Sequence, residues 1–429
     1  MTETMQSATA THRFGISLRA ALPWIIAAFV LLILPFVFDA KSSITVMNQM
    51  AITIIFALAY NMLLGQGGML SFGHAVFMGL GGVAAVHMMR YVEIMGLPIP
   101  LPLLPLFGGI AGFLLACVIG SFSTRHAGTV FAMISLGVGE LIAACSLIFV
   151  AFFGGEAGVS ADRTYGLPVF GVEFFTQTEV YYLIATWLLI SALLMYLYTR
   201  TPVGRMANAV RDNPERAEFL GYSARWVRFY SFIFSGFFAG IAGGLFAINY
   251  EIMTTESLTL VQSGRILLIT FLGGVGYFCG PIIGAIVFTL LNTVLSRYTD
   301  LGTLYIGLLF VLTVMYFPGG LAGLLMMHEP VRRMRRLHLL LRPYLLGLVP
   351  FLVTILGCAA LLELLFHTRH AMPGQSEMGL FGVRFDSHAI LPWVIVTVAT
   401  LAGILALRAL APALKDAWHD ANTVQGDGA

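Results

Sequence analysis

The feature that most constrains this chain is a series of apolar runs, each about as long as a bilayer is thick. They fall at 21–38, 44–64, 72–90, 101–121, 128–152, 180–199, 229–250, 261–276, 279–297 and 303–325, with two more at 344–366 and 390–410. The hydrocarbon core is ~30 Å across, so a spanning helix needs roughly 20 mostly apolar residues. Lipid offers no hydrogen bonds, so each run must satisfy its own backbone, and runs this long and uniformly apolar do so as helices rather than barrel strands. The expectation is an all-α polytopic membrane protein: ten spans, a basic linker, then two more. A mean hydropathy of +0.89 over 429 residues excludes an ordinary soluble domain.

Charge is scarce, at 10% of residues against 59% apolar, so its placement orients the chain. With the N-terminus inside, the outer segments hold Lys41, Arg90, Arg163, Arg297, Arg369 and Arg384, and Arg265 falls within a span. The remaining 16 of the 23 Lys and Arg lie on the inner segments. This bias places both termini and the 200–228 loop in the cytoplasm. The expected divisions are a cytoplasmic tail at 1–20, a membrane domain at 21–325, a basic linker at 326–343, a two-helix extension at 344–410 and a tail at 411–429. The polar N-terminus with Arg13 and Arg19 leads into an apolar run without a clear small-residue cleavage site, and reads as an uncleaved first span. Cys117, Cys145, Cys279 and Cys358 stand singly in apolar runs and read as small core residues rather than metal ligands or disulfide partners. A net charge of +2 points to no nucleic-acid partner.

The stretch TPVGRMANAVRDNPERAEFLG at 201–221 concentrates charge between two spans. It predicts a helix over 205–220, with Met206, Ala209, Val210, Ala217 and Leu220 as the apolar stripe. Arg211, Asp212, Glu215, Arg216 and Glu218 supply the polar faces. Pro214 marks a break between two short helices, and Gly221 is placed to cap the end. Such a helix either lies on lipid headgroups or docks in a protein groove. Helices that bind lipid are mostly basic on their polar face; the interleaved acids here suit a protein groove.

Two glycine-rich stretches interrupt the spans. GQGGMLSFGHAVFMGLGG at 65–82 carries Gln66, Ser71, Gly73, His74 and Gly79; GGVGYFCGPIIG at 273–284 carries Gly273, Gly274 and Gly276. Small residues allow close helix packing, and glycine-interrupted helices also line transport pathways; both readings stand. Glu140 is the clearest ionisable group at membrane depth. Burying its charge is costly, which makes it a pathway candidate as well as a structural one. His74 and His87 read as packing or hydrogen-bonding histidines, and Arg265 as a residue that snorkels from the outer end of its span. Ionisable groups are too sparse for a proton relay, and no phosphate-cradling glycine loop, nucleophile–base pair or metal cluster is present in the sequence.

Taken in order, NMLLGQGGMLSFGHAVFMGLGG, ISLGVGELI, FGGEAGV, TPVGRMANAVRDNPERAEFLGYS, SGFFAGIAGGLFA, FLGGVGYFCGPIIGA and FPGGLAGL resemble the permeases of bacterial ABC importers for branched-chain amino acids, specifically the longer of the paired permeases. The resemblance covers about 40–325, and urea-type importers share most of it. It implies ten core helices, a pore shared with a sister permease, and two cytoplasmic ATPases that hold ATP and Mg. It also implies an external solute-binding protein, and no cofactor on this chain. The expected site of action is the bacterial inner membrane, and the expected cargo a branched-chain or other hydrophobic amino acid, with urea or another small solute as the alternative. An ion-gradient transporter is the competing class. The resemblance makes Arg205, Arg211, Asp212, Asn213, Glu215, Arg216, Ala217 and Gly221 the segment that docks into an ATPase. Two departures stand out. The external motif opens with Phe153 where the pattern has Thr, with Glu156 following, and 330–429 extends past the usual end.

Overall fold

The computed structural model describes residues 18–168, 171–334, 336–370, 377–380 and 383–422. Arg13, Arg335, the tail at 1–17, the middle of the 367–389 connector and the end of the C-terminal tail lie outside the described residues. Two compact units are resolved, Met1–Gly323 and Leu324–Ala429.

The apolar runs are helices. In chain order they are α1 (Leu18–Val37), α2 (Lys41–Asn61), α3 (Ala75–Met95), α4 (Leu104–Ser123), α5 (Gly128–Ile148) and a single turn α6 (Val150–Phe153). Next come α7 (Gln177–Arg200), α8 (Pro202–Asp212), α9 (Pro214–Phe219), α10 (Ala224–Tyr250), α11 (Leu260–Gly273), α12 (Gly280–Tyr298), α13 (Gly302–Tyr316) and α14 (Gly320–Met327). The remainder are α15 (Glu329–Arg333), α16 (Leu337–His370) and α17 (Ile390–Asn422). Among the described residues nine helices are long and apolar enough to cross a membrane, or ten if the bent pair Gly302–Tyr316 and Gly320–Arg333 is one span. Ala21–Val37 and Leu260–Gly273 are apolar but shorter. Each predicted run therefore corresponds to a helix or bent pair, although two fall short of full spanning length.

The core of the first unit is built on α10, which is 83% buried over its most apolar window. It packs against α2, α3 and α4. Glycine makes this possible: a Cβ on Gly240 would collide with the carbonyl of Gly108, and one on Gly112 with that of Gly236. Backbones this close gain dispersion contacts that lipid cannot match, which is the principal attraction between helices in a membrane. Asn48 on α2 adds a polar tie, donating to Asn249 on α10 (2.8 Å) and Gln177 on α7 (3.3 Å).

Part of the 153–179 loop pairs in a small two-stranded sheet, β1 (Val159–Ser160) antiparallel to β2 (Ile252–Met253), with Val159 opposite Met253. Arg163, only 8% exposed, crosses beneath it and donates to the carbonyls of Phe174, Ile248, Asn249 and Phe175. Ile248 and Asn249 belong to the last turn of α10, where carbonyls lack helical partners and a cation is favoured. In the second unit, α16 and α17 form a hairpin closed by β3 (Glu377–Leu380) paired with β4 (Val383–Asp386). Gly357 accommodates Thr400, and Gly403 accommodates Thr354, so the two helices interlock through small and hydroxyl residues.

Candidate coupling and translocation site

The glycine-rich stretch after α2 is not a simple turn. α2 runs on into a π-helical turn, Met62–Gln66, a form that recurs at functional positions in helices. The chain then leaves helical geometry until α3 begins at Ala75, with Gly68 at φ +64. Irregular backbone is tolerated at membrane depth only where protein side chains satisfy it. Here hydroxyls do so: Tyr60 donates to the Ser71 carbonyl (2.9 Å), Ser135 on α5 accepts from the Phe72 N–H (3.1 Å), and Ser263 on α11 accepts from the Ala75 N–H (2.9 Å). Gly73 packs directly on Gly139 and on the Ser135 carbonyl of α5. Gly79 lies against Leu258. The segment thus joins α2, α3, α5 and α11 through backbone contacts.

His74 lies at the heart of it, fully buried and ringed by Phe56, Tyr60 and Phe77 at centroid distances of 5.7, 5.1 and 5.3 Å. The Ser235 hydroxyl donates its one proton to the Ala59 carbonyl (2.6 Å), so it accepts from His74 Nε2 (3.3 Å). That assigns the proton of a neutral imidazole to Nε2. Nδ1 of His74, Oγ of Ser71 and Oε1 of Gln66 have no protein partner among the described residues. His87 has the hydrogen-bonding role expected, with Nε2 2.8 Å from the Phe152 carbonyl.

The polar loop folds as two short helices meeting at Pro214. Thr201 caps α8 by accepting from the Gly204 N–H (3.2 Å), so this helix starts at Pro202 rather than at Arg205. Asn213 caps α9 by accepting from the Arg216 N–H (3.0 Å), which leaves Pro214 in a first turn, where its missing N–H costs nothing. At the far end the Tyr222 N–H reaches the Ala217 carbonyl (3.1 Å) and the Gly221 N–H that of Glu218 (2.9 Å), with Gly221 at φ +85. This is a Schellman cap. Ala207, Val210, Ala217, Ala224 and Val227 form the buried seam, with Met206 against it.

One expectation for this loop needs correction, and one residue does more than expected. Leu220 is not part of the buried stripe: after the cap reverses the chain, Leu220 is 69% and Phe219 91% exposed. Arg211 is exposed like Arg205, Glu215 and Arg216, but it also reaches back across the loop. Its Nη1 donates to the Gly65 carbonyl, its stem lies over Gly68, and its Nε donates to Asp212 (2.9 Å). The polar loop is thereby fastened to the π-turn of α2.

The second glycine cluster meets a third motif. Gly273 packs against Gly280 and Gly284, while Gly274 at φ +113 meets Gly319, and Gly320 lies on Gly274. Gly276 is different: a Cβ there would touch nothing, so it has no packing role.

Glu140 is exposed on the outer face of α5, in a stripe with Met133, Gly137, Leu141 and Ala144. It has no hydrogen-bond or ion-pair partner among the described residues, and its neighbour Gly139 is the residue that touches Gly73. Arg265 lies in the second turn of α11, partly buried; its guanidinium is 5.0 Å over the ring of buried Phe288 and lines a cavity with Gln49, Thr53 and Gln262. Among the described residues no group of His, Cys, Asp and Glu is arranged to hold a metal ion.

The serines that cap the broken segment, the partner glycine Gly139, and Gln49 and Gln262 were not singled out from sequence. Hydroxyls recurring beside glycine in apolar helices were the available signal.

Comparison with known proteins agrees with this architecture. Residues 42–317 match the family profile described as branched-chain amino acid transport system / permease component. The high-affinity branched-chain amino acid transport system permease protein LivM of Salmonella typhimurium is 28% identical over 303 residues, covering 66% of this chain and 70% of that protein. The LivM of Escherichia coli is 27% identical with the same coverage. The galactose/methyl galactoside import permease protein MglC of Haemophilus influenzae is 26% identical over 272 residues, 58% of this chain and 76% of that protein. No solved structure matches the chain significantly.

Proposed function

The chain belongs to the family of permease components of branched-chain amino acid transport systems, and from that premise we propose that it forms half of the membrane pathway of an ATP-driven importer for branched-chain or other hydrophobic amino acids. A sister permease forms the other half. Two cytoplasmic ATPases bind and hydrolyse ATP with Mg, and an external solute-binding protein delivers the cargo. This chain catalyses no reaction and binds no cofactor. It is a multi-pass protein of the bacterial inner membrane with both termini and the 200–228 loop in the cytoplasm, as the Lys/Arg bias favours. The hairpin at 344–410 is an accessory to the core.

The observation that carries this reading is the bond from Arg211 to Gly65. An ATPase that grips the exposed Arg205, Glu215, Arg216, Phe219 and Leu220 would pull on α8 and α9. Arg211, with Asp212 holding its guanidinium, then passes that motion to the π-turn and the extended segment after it. Asn213, Ala217 and Gly221 keep the two helices in register. Gln66, Ser71, Gly73, His74 and Gly79 form the moving element, Glu140 lies on the face of α5 beside it, and Gly273 and Gly274 let α11 and α12 slide. An interface of this kind concentrates its energy in a few buried apolar anchors, a role suited to Phe219 and Leu220.

The test is uptake of labelled L-leucine by membrane vesicles carrying the whole assembly. Uptake is expected to persist when the proton gradient is collapsed and ATP retained. Loss of uptake under those conditions would assign the chain to ion-gradient transport. Binding of urea rather than L-leucine by the cognate solute-binding protein would replace the cargo.

A further inference from the structure

The cavity between α2, α3, α10 and α11 has a composition that packing alone does not account for. Its polar wall is Arg265, Gln262, Gln49 and Thr53; its apolar wall is led by Phe56 and Phe246. The cavity has about 40 Å³ of space for the centres of water-sized spheres, and it opens to the outside. At roughly 10–15 Å³ per water on that measure, it has room for a few waters or for a carboxylate group.

Arg265 is the anomaly. Five residues into an apolar helix, it makes no ion pair or hydrogen bond among the described residues. Tyr250 and Glu256 act on it only through space, and its guanidinium stacks over the Phe288 ring. A partly buried cation without a counter-ion in contact is costly at membrane depth. The side-chain amides of Gln49 and Gln262 are likewise unengaged among the described residues. The Thr53 hydroxyl has spent its proton on the Gln49 carbonyl (2.7 Å) and presents only lone pairs. The wall therefore offers a forked donor for a planar anion, acceptors for an ammonium, and aromatic surface for an aliphatic side chain.

We propose that this cavity is a station for the cargo within the permease, with Arg265 pairing to the carboxylate of an aliphatic amino acid. Gln49, Gln262 and the Thr53 oxygen receive its ammonium, and the side chain lies against Phe56 and Phe246. The assignment rests on the amino-acid import reading. It adds a specificity determinant to it: small uncharged solutes that lack a carboxylate leave Arg265 unpaired and gain nothing from the site.

The test places a single cysteine at Thr53→Cys, in a background where Cys117, Cys145, Cys279 and Cys358 are serine, and measures alkylation by a small thiol reagent in vesicles carrying the whole assembly. L-Leucine is expected to slow labelling about tenfold, and L-leucinamide, which lacks the carboxylate, to have little effect. Arg265→Gln should abolish the protection and Arg265→Lys should keep part of it. If Arg265→Gln fails to assemble, the comparison of leucine with leucinamide in the Thr53→Cys protein alone still decides. Equal protection by the two compounds overturns the role of Arg265. No protection by leucine, with ATP-driven leucine uptake intact, takes the cavity off the pathway and leaves the import reading standing. No leucine uptake in a cysteine-free assembly that still imports another solute refutes the import reading itself, and the station with it.

Discussion

Arg211 and Gly65 are 146 residues apart in sequence, and the guanidinium of the first donates to the main-chain carbonyl of the second. The bond joins a polar loop to the one π-turn found among the described residues, and the same arginine reaches Asp212 and covers Gly68. A carbonyl at the end of a helix has no helical partner of its own. A charge-assisted bond to it contributes roughly 1.5–3 kcal/mol when shielded from water, and about 1 kcal/mol or less where, as here, the arginine side chain is 37% exposed.

Arg211 and Arg216 therefore predict different defects. Arg211→Ala should leave the ATPases bound and hydrolysing while leucine uptake falls about fivefold, the factor that roughly 1 kcal/mol represents. Arg216→Glu, on the exposed face, should weaken ATPase association itself. Co-purification of the ATPases and vesicle uptake separate the two. Identical phenotypes would mean that both residues face the partner.

Phe219 and Leu220 should be anchors for the ATPase. Alanine at either removes apolar area that is 91% and 69% exposed in this chain, so folding should be unchanged. Loss of ATPase binding by about 2 kcal/mol or more per residue is the expected result. Wild-type association for the double variant would place the interface elsewhere on the loop.

Gly73 and Gly276 form a matched pair for testing the broken segment. A Cβ on Gly73 meets the Ser135 carbonyl and the backbone of Gly139, whereas one on Gly276 meets nothing. Gly73→Ala should cost a few kcal/mol through overpacking and abolish uptake, and Gly79→Leu should do likewise against Leu258. Gly276→Ala should fall within about 0.5 kcal/mol of wild type, as open surface positions do. Thermal stability in detergent and uptake in vesicles report both, and full uptake by Gly73→Leu would reduce the cluster to packing.

Glu140 has its carboxylate on an exposed face of α5, in mid-helix, among apolar residues. Lipid is a poor neighbour for such a group, so it should meet water or a partner subunit in the assembly. Glu140→Gln keeps hydrogen bonding and should retain much of the uptake; Glu140→Leu removes it and should not. Equal and normal uptake for both variants would make the residue inert.

Cutting the chain before Leu337 removes α16 and α17 while leaving residues 1–323, one of the two compact units, intact. The shortened protein is expected to insert and to bind its ATPases. Loss of all ATPase binding, measured by co-purification, would make the C-terminal helices part of the core.

Spans, turns and caps were legible in the sequence because each is decided within a few neighbouring residues. A twenty-residue apolar run has one way to satisfy its backbone in lipid, Pro214 fits only the start of a new helix, and Gly221 takes a backbone angle that other residues resist. The direction in which a side chain points was a different matter. In a soluble helix, polar and apolar faces reveal the inside; here α5 and α11 carry only a few polar residues among apolar ones, and lipid reverses which face they should take, so that signal is lost. Nothing local showed that Arg265 turns inward over Phe288, that Leu220 turns outward past its cap, or that Gly276 stands in open space while Gly73 does not. Arg211 could be read as a surface charge until the chain brought Gly65 to it. Composition and local stereochemistry determined where the long apolar helices lie and that the polar loop divides at Pro214. Only the packing of those helices decided that Arg211 meets the Gly65 carbonyl and Arg163 the last carbonyls of α10, because the partners of those contacts come from distant parts of the chain.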